Sequence, residues 1–424
     1  MEHPRGQSTS SPFSNAEKCT QCGYCLPVCP TYRVENNELH SPRGRVSVIL
    51  ALRSGRLSPE EATQVLDHCL LCQACHAACP ADVRPGKLAL QLRVKAPLPP
   101  TIISRLLHTI TDRPQATAAF ARLLQWYQHS GLQKGIRRSK LLRWLPSLAQ
   151  LESLLPAARP GYALPPAPQP APDSQQPRIA LLAGCMNRLF FPSVATAACH
   201  VLHKWGFQGV LLDQFGCCGA PYRESGDRLR QRRQAQRTLD LLDATGPWQA
   251  VVCDSSICAV ALRSTLRLFS GDPIYGDKAR QWTEQVYTLS QFLANKPAPH
   301  ISKKLPFASL AYHDHCQARQ GLGIIMEPRT LLRPLSEQLL EVRQMQSTSA
   351  DGCCGAAGEY QLRHPQRSHS IRAFKLQAIQ SSGVALLTGE NPGCLMHLAA
   401  GLEEQRCNIV VRHLAEILYE AYCT

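Results

Sequence analysis

Two copies of one cysteine string constrain this chain more than any other feature: Cys19-x2-Cys22-x2-Cys25-x3-Cys29-Pro30 and Cys69-x2-Cys72-x2-Cys75-x3-Cys79-Pro80. Thiolates at such short spacings let one loop wrap the corners of a [4Fe–4S] cube, and in two-cluster chains the fourth thiolate of each run crosses to the other cluster. The expected ligand sets are therefore Cys19, Cys22, Cys25 with Cys79 for cluster 1, and Cys69, Cys72, Cys75 with Cys29 for cluster 2. The proline after each fourth cysteine turns the chain away from the cluster. Zinc would be satisfied by two Cys-x2-Cys pairs per ion and gives no reason for a third and fourth cysteine at these spacings. Cys72-Gln73-Ala74-Cys75-His76 also reads as a c-type haem attachment pattern. That chemistry needs export, and residues 1–30 show no charged-then-apolar leader. His76 is accordingly read as an ordinary loop histidine.

At 424 residues the chain is too long for one core, and its length points to about three domains. Twenty cysteines in a long chain, clustered at metal-ligand spacings, indicate metal-bound thiolates in a reducing cytoplasm rather than disulfides. No stretch approaches the roughly twenty apolar residues of a transmembrane helix, so any membrane association is expected to be peripheral. The formal charge of +15 overstates the loaded protein. Each cubane with four thiolates carries a net charge of about −2, so two bring the total to about +11 and four to about +7. The excess lies partly in Lys134–Lys140 and in the run holding Arg228, Arg230, Arg232, Arg233 and Arg237. Such runs read as solvated helix faces, with docking to an acidic partner or anionic leaflet as the alternative. No aromatic interleaving or nucleic-acid module accompanies them, so no nucleic-acid partner is expected.

The organisation follows from composition and pattern. Residues 1–15 are Ser- and Pro-rich and read as a disordered tail. Residues 16–95 hold both cysteine runs, with helix-like stretches from Val46 to Ser54 and from Pro59 to His68 between them. That makes a helical two-cluster, ferredoxin-like domain rather than a compact hairpin one. Residues 96–155 are amphipathic helix, with Ile102, Leu106, Leu107 and Ile110 at helical spacing. Eight prolines mark 156–177 as an extended linker.

Beyond the linker the cysteines repeat. Cys185, Cys217-Cys218-Gly219 and Cys258 are echoed by Cys316, Cys353-Cys354-Gly355 and Cys394, with 40 positions between the last two cysteines of each copy. The copies span 178–298 and 305–424. Arg178–Ala183 and Phe307–Tyr312 read as buried strands ending at a cysteine, and Ala250–Cys253 and Val384–Leu387 as later strands, each preceded by a charged helix (Asp227–Asp243 and His364–Ser381). Val286–Leu293 echoes Val411–Leu418. Strands alternating with helices indicate α/β layers on a parallel sheet, whose ligands sit past the carboxyl ends of the strands, where these cysteines fall. The whole chain is thus expected to be an α + α/β multidomain protein.

Adjacent cysteines cannot easily form a disulfide with each other. A Cys-Cys-Gly corner instead presents two sulfurs to a metal, with glycine giving a tight backbone. Each repeat is therefore a candidate site for one further iron–sulfur cluster: Cys185, Cys217, Cys218 and Cys258 in the first, Cys316, Cys353, Cys354 and Cys394 in the second. Cys199, Cys253, Cys407 and Cys423 have no counterpart in the other copy and read as small apolar packing. His313 and His315 flank Asp314 beside Cys316; they read as surroundings of the site or neutral packing.

Twin cysteine runs followed by two Cys-Cys-Gly repeats resemble the iron–sulfur subunits of glycolate oxidase over residues 16–424. They are also similar to lactate-utilisation, anaerobic glycerol-phosphate dehydrogenase and heterodisulfide reductase subunits. Pro42-Arg43-Gly44-Arg45, Gly216-Cys217-Cys218-Gly219 and Asn391-Pro392-Gly393-Cys394 most resemble the glycolate oxidase branch. The resemblance implies an FAD-binding partner subunit that oxidises the 2-hydroxy acid, and electrons carried onward by this chain to a quinone or other acceptor. In heterodisulfide reductase-like repeats the last cysteine belongs to a Cys-x-x-Cys pair; here Ser255 and Asn391 stand at the earlier place. That departure weighs against a five-sulfur, disulfide-breaking centre, although thiol–disulfide catalysis stays open as an alternative, as do lactate and glycerol phosphate as donors. No acid–base dyad, phosphate loop or dinucleotide fingerprint appears, so no catalytic residue is assigned and the chain alone is not expected to oxidise glycolate.

Overall fold

The structure, a computed structural model, describes residues 13–139, 152, 155, 164–168, 175–342 and 352–424. The expected tail up to residue 12, most of the proline-rich linker and Lys140 of the first basic run lie outside the described residues. The chain divides into two compact units, Met1–Pro99 with Glu224–Asp227, and Pro100–Arg223 with Arg228–Thr424.

The first unit is helical, and no strand occurs among its described residues. Its longest helix, Pro42–Arg53, starts where Ser41 accepts a hydrogen bond from the Gly44 amide with proline at the first position, a combination that satisfies the free amides of a helix start. Gly44 is required there, because a Cβ would lie 1.9 Å from the Glu38 carbonyl oxygen. Helix Pro59–Leu66 opens with a reciprocal Ser58–Glu61 capping box. These two helices and Pro85–Lys95 bury Val46, Ile49, Leu66, Leu88 and Leu92 in one core. Phe13, at the end of the segment read as a tail, is buried against that core under the Lys95 ammonium.

The second unit carries two four-stranded, all-parallel sheets. The first is ordered β2-β1-β3-β4, with β1 Arg178–Leu182, β2 Gln208–Leu211, β3 Ala250–Cys253 and β4 Val286–Thr288. The second repeats that order as β6-β5-β7-β8, with β5 Ser309–Tyr312, β6 Gln338–Leu340, β7 Leu386–Gly389 and β8 Val410–His413. Alternation along the strands divides three cores. Ile179 and Leu181 of β1, Val252 of β3, Leu310 and Tyr312 of β5 and Leu386 of β7 enter one shared core between the sheets. Ala180, Leu182, Val251 and Cys253 face an outer core on the first sheet, and Ala311 and Leu387 face another on the second. Burial on both faces is what a parallel sheet requires, since its crossover helices cover it front and back. Helices Ser193–Lys204 and Leu414–Tyr422 pack together in the shared core.

Three details differ from the sequence reading. The third strand of the second repeat is Leu386–Gly389 rather than Val384–Leu387, in register with β5 through Leu310↔Leu386 and Tyr312↔Thr388. The edge strands β2 and β6 carry no periodic signal. In the segment before the repeats, helix Ile102–Thr111 leaves Ile102 and Leu106 exposed and buries Ser104, His108 and Thr111. That face is held by polar contacts: His108 Nε2 lies 2.6 Å from Glu359 Oε1, and Tyr222 donates to Asp112 at 2.7 Å. Helix Arg228–Thr245 exposes Arg228, Arg233 and Arg237, while Arg232 stacks over Phe269 and pairs with Asp272.

A buried carboxylate joins the two repeats. Glu390, just past β7, accepts from the Ser290 amide at 2.8 Å, the Ser290 hydroxyl at 2.5 Å and the Tyr312 hydroxyl at 3.1 Å. Its own carbonyl accepts from the Ser256 amide at 2.8 Å. Glu390→Ala, which strands the Ser290 amide and hydroxyl and the Tyr312 hydroxyl in a dry interface, is expected to cost about 3–5 kcal/mol. All five tryptophans lie in the second unit, so urea unfolding followed by tryptophan fluorescence reads this change; a loss below about 0.5 kcal/mol would mean the bridge carries little stability.

Candidate metal centres

In the first unit the two cysteine runs share a backbone. The residue before the second cysteine and the residue after it have positive φ in both: Gln21 (60°) and Gly23 (88°), then Leu71 (58°) and Gln73 (63°). Left-handed leucine and glutamine are disfavoured, so this curl is imposed by what the loop must surround. Cys19, Cys22, Cys25 and Cys79 line one cavity, which Cys75 also borders. Cys29, Cys69, Cys72 and Cys75 line a second. Each cavity therefore gathers three sulfurs from one run and the fourth from the other. His76 instead pairs with Asp82 at 2.7 Å and lines neither cavity. Pro30 opens helix Pro30–Glu35, which carries the chain away.

Burial makes bare thiolates costly in these cavities, so the sulfurs call for a guest that brings positive charge. Burial pushes the Cys25 thiol up to about 11, and burial with Cys69 and Cys29 alongside pushes Cys75 higher still. Arg45 is 3% exposed, and its guanidinium lies 3.6 Å from Cys29 Sγ, 2.8 Å from the Thr31 hydroxyl and 3.2 Å from the His68 carbonyl. Burial disfavours its charge, but Cys69 and Cys29 outweigh that and hold it protonated. A buried cation whose neighbours are sulfurs finds its counter-charge in thiolates bound to metal. The residues thus fit [4Fe–4S] clusters, and Arg45, which lines the second cavity, is a feature that cysteine spacing alone does not reveal.

In the second unit each cysteine takes the same place in both repeats. Cys185 and Cys316 are the first residues of helices Cys185–Phe190 and Cys316–Leu322, which follow the inner strands β1 and β5. Cys258 and Cys394 are the third residues of helices Ser256–Arg263 and Pro392–Glu404, which follow β3 and β7. The adjacent pairs come after the edge strands. The cysteines of each repeat thus stand past the carboxyl ends of neighbouring parallel strands, where the chain order reverses. Ser255 and Asn391, at the places where a Cys-x-x-Cys pair would have its first member, are the N-caps of these helices, and Asn391 accepts from the Cys394 amide at 3.1 Å.

The Cys-Cys-Gly corners are alike in detail. Gly219 and Gly355 have φ of +82° and +89°, and each amide points at the sulfur two residues back, at 3.4 Å. A Cβ at Gly355 would lie 2.6 Å from the Ser368 carbonyl oxygen, so glycine is required. In the first repeat the Cys217 and Cys258 thiols hydrogen-bond to Cys218 and hold its thiolate well below the usual range, while contacts with Cys185 and Cys218 push Cys217 up. In the second, Cys354 donates to Cys394 at 3.0 Å, and a nitrogen of the buried His313 ring lies with both sulfurs inside a 4.8 Å span. Burial, with Lys375 and His315 nearby, keeps His313 neutral. His315 donates to or accepts from the Ser256 hydroxyl at 2.9 Å. Asp314 is taken by Arg329 through two contacts of 3.0 and 2.8 Å, so the His–Asp–His string forms no relay. Of the unmatched cysteines, Cys199 and Cys253 are buried in apolar cores, Cys423 packs against the core shared by the sheets, and Cys407 against the outer core of the second sheet.

Removing the Arg45 charge should make the cluster held by Cys29, Cys69, Cys72 and Cys75 harder to reduce. Arg45→Gln is expected to lower its midpoint potential by about 65–130 mV, the electrical equivalent of one lost charge-assisted hydrogen bond. Redox titration followed by electron paramagnetic resonance reads the shift; an unchanged potential would remove Arg45 from the cluster's surroundings.

Comparison with known proteins follows the same boundaries. Residues 15–83 match the 4Fe-4S dicluster domain, 101–155 the linker region of the glycolate oxidase iron-sulfur subunit, and 179–263 and 310–399 the cysteine-rich domain. The probable glycolate oxidase iron-sulfur subunit of Bacillus subtilis is 29% identical over 425 residues, covering 95% of this chain and 93% of that one. The glycolate oxidase iron-sulfur subunit of Escherichia coli is also 29% identical, over 415 residues, with the same coverage. Lactate utilization protein A of an Exiguobacterium species is 27% identical over 245 residues, covering 58% of this chain and 98% of its own length.

Proposed function

We propose that this chain, a relative of the glycolate oxidase iron–sulfur subunits along nearly its whole length, is the electron-transfer subunit of a glycolate oxidase complex. An FAD-binding partner oxidises glycolate to glyoxylate, and this chain passes the electrons towards a quinone-type acceptor. The observation that carries the reading is the pair of cavities in the first unit, each walled by four cysteines drawn from both runs. A [4Fe–4S] cluster bound there takes up and releases one electron at a time. The chain's own residues do the rest. Cys19, Cys22, Cys25 and Cys79 hold cluster 1; Cys69, Cys72, Cys75 and Cys29 hold cluster 2; Arg45 offsets the negative charge of the second. Cys185, Cys217, Cys218 and Cys258, and Cys316, Cys353, Cys354 and Cys394, hold a further metal centre in each repeat.

The extent of the likeness favours glycolate over lactate as the donor: the relatives named for glycolate oxidase match 95% of the chain, the one named for lactate utilization 58%. A cytoplasmic place, peripheral to the inner membrane, fits the reading; among the described residues no helix is long and apolar enough to cross a membrane.

The test is on the complex isolated anaerobically with this chain as bait. Glycolate is added to one sample and lactate to another, and cluster reduction is followed by electron paramagnetic resonance. Reduction by glycolate is expected. Reduction by lactate alone would move the chain to the lactate branch, and reduction by neither, with a flavoprotein present, would contradict the assignment.

A further inference from the structure

The second repeat contains a nitrogen donor that the first lacks. We infer that His313 is a ligand of the metal centre in the second repeat, making that centre a mixed imidazole–thiolate site. The inference rests on the reading that the repeat cysteines hold metal, and it adds to it a residue and a ligand type.

His313 sits one residue beyond β5, its backbone fixed by a 2.7 Å hydrogen bond from its amide to the Thr388 carbonyl. The residue is 2% exposed, and neither ring nitrogen has a hydrogen-bond partner. A buried polar atom left unpartnered costs about 1–3 kcal/mol, so such a ring calls for a ligand. One lies at hand: a ring nitrogen and the sulfurs of Cys354 and Cys394 all lie within 4.8 Å of one another. Around a tetrahedral ion with bonds of about 2.0–2.3 Å, donor atoms stand roughly 3.5–3.8 Å apart, so this trio needs little movement to close on a metal. His315 and Asp314, the neighbouring polar residues, are committed elsewhere, to Ser256 and Arg329.

The two repeats differ at this place by a pair of residues. In the first, Leu182 lies in register with Cys253 across β1 and β3. Counting back from Cys316, His313 stands where Leu182 does before Cys185, and counting back from Cys394, Gly389 stands where Cys253 does before Cys258. A Cβ at Gly389 would lie 3.2 Å from the His313 carbonyl oxygen and 3.8 Å from its Cβ. The smallest residue thus stands opposite the imidazole, and the leucine–cysteine pair of one repeat becomes a histidine–glycine pair in the other. A neutral nitrogen donor brings no negative charge of its own, and imidazole ligation makes a centre easier to reduce, as in Rieske centres.

The test uses the full chain purified anaerobically with 15N-labelled histidine, as wild type, His313→Leu, His313→Gln and Cys354→Ser. Leucine is the residue the first repeat tolerates at this place, and glutamine keeps polarity without an imidazole. Elemental analysis comes first: the metal lost in Cys354→Ser identifies the centre. If that metal is iron, pulsed electron paramagnetic resonance on the reduced protein reads a strongly coupled 15N; if zinc, X-ray absorption at the zinc edge reads imidazole scattering. The inference expects the nitrogen signature in wild type and its loss in both His313 variants, with the signals of the first unit's clusters retained. No signature in wild type, or one that survives in either His313 variant, overturns the ligand assignment and leaves the cysteine reading in place. Unchanged metal content in Cys354→Ser overturns both.

Discussion

Sulfur held against sulfur in a dry interior is the constraint on which this molecule depends. Cys354 and Cys394 lie 3.0 Å apart, and both are buried. Two thiolates at that distance repel by about 5 kcal/mol at an effective dielectric of about 20. Protonated thiols avoid the repulsion but leave weak, poorly matched donors in the core. A metal cation reverses the sign: it makes ionised, crowded thiolates the stable arrangement and contributes folding free energy in doing so. The same logic explains the buried Arg45, whose charge has sulfurs for company. On the proposed reading, folding of the cysteine-bearing segments and loading of metal are one event in energetic terms.

Each unit meets this constraint with a different backbone. In the first, loops do the work, bent by left-handed residues at matching places in both runs and held by short, well-capped helices. In the second, the parallel sheet does it. Inner strands end at the starts of helices whose first or third residue is a cysteine, and the edge strand delivers a tight Cys-Cys-Gly corner from the side. The rigid core between the sheets and the buried Glu390 bridge fix the two repeats to each other. Electron transfer depends steeply on distance and little on motion, so a stiff frame suits the proposed task.

Much of this was legible in the sequence because the signals were periodic or duplicated. β3 was read to the residue, and the equal spacing of the Cys-Cys-Gly cysteines revealed the repeats before any fold was known. Other features lacked such a signal. β2, half-buried along its length, mixes Gln208 and Gly209 with two aliphatics and shows no alternation. The stretch from Val384 to Leu387 is apolar throughout, so only hydrogen bonding to β5 decides that the strand runs from Leu386 to Gly389. Ile102 and Leu106 have helical spacing, yet the helix docks through His108 and its neighbours because polar partners, Glu359 among them, meet it there. The surroundings of the metal sites were least legible. Arg45 belongs to a helix far along the chain from Cys69, and His313 gains meaning only when the two repeats are laid over one another.

The central claim is that the cysteines of this chain are metal-bound carriers of electrons. Iron and acid-labile sulfide counted per chain, on protein purified without oxygen, test it most directly. The account predicts at least about eight of each for the two clusters of the first unit, rising to about sixteen if both repeats hold cubes. A colourless protein with zinc in place of iron, or with no metal at all, would contradict it.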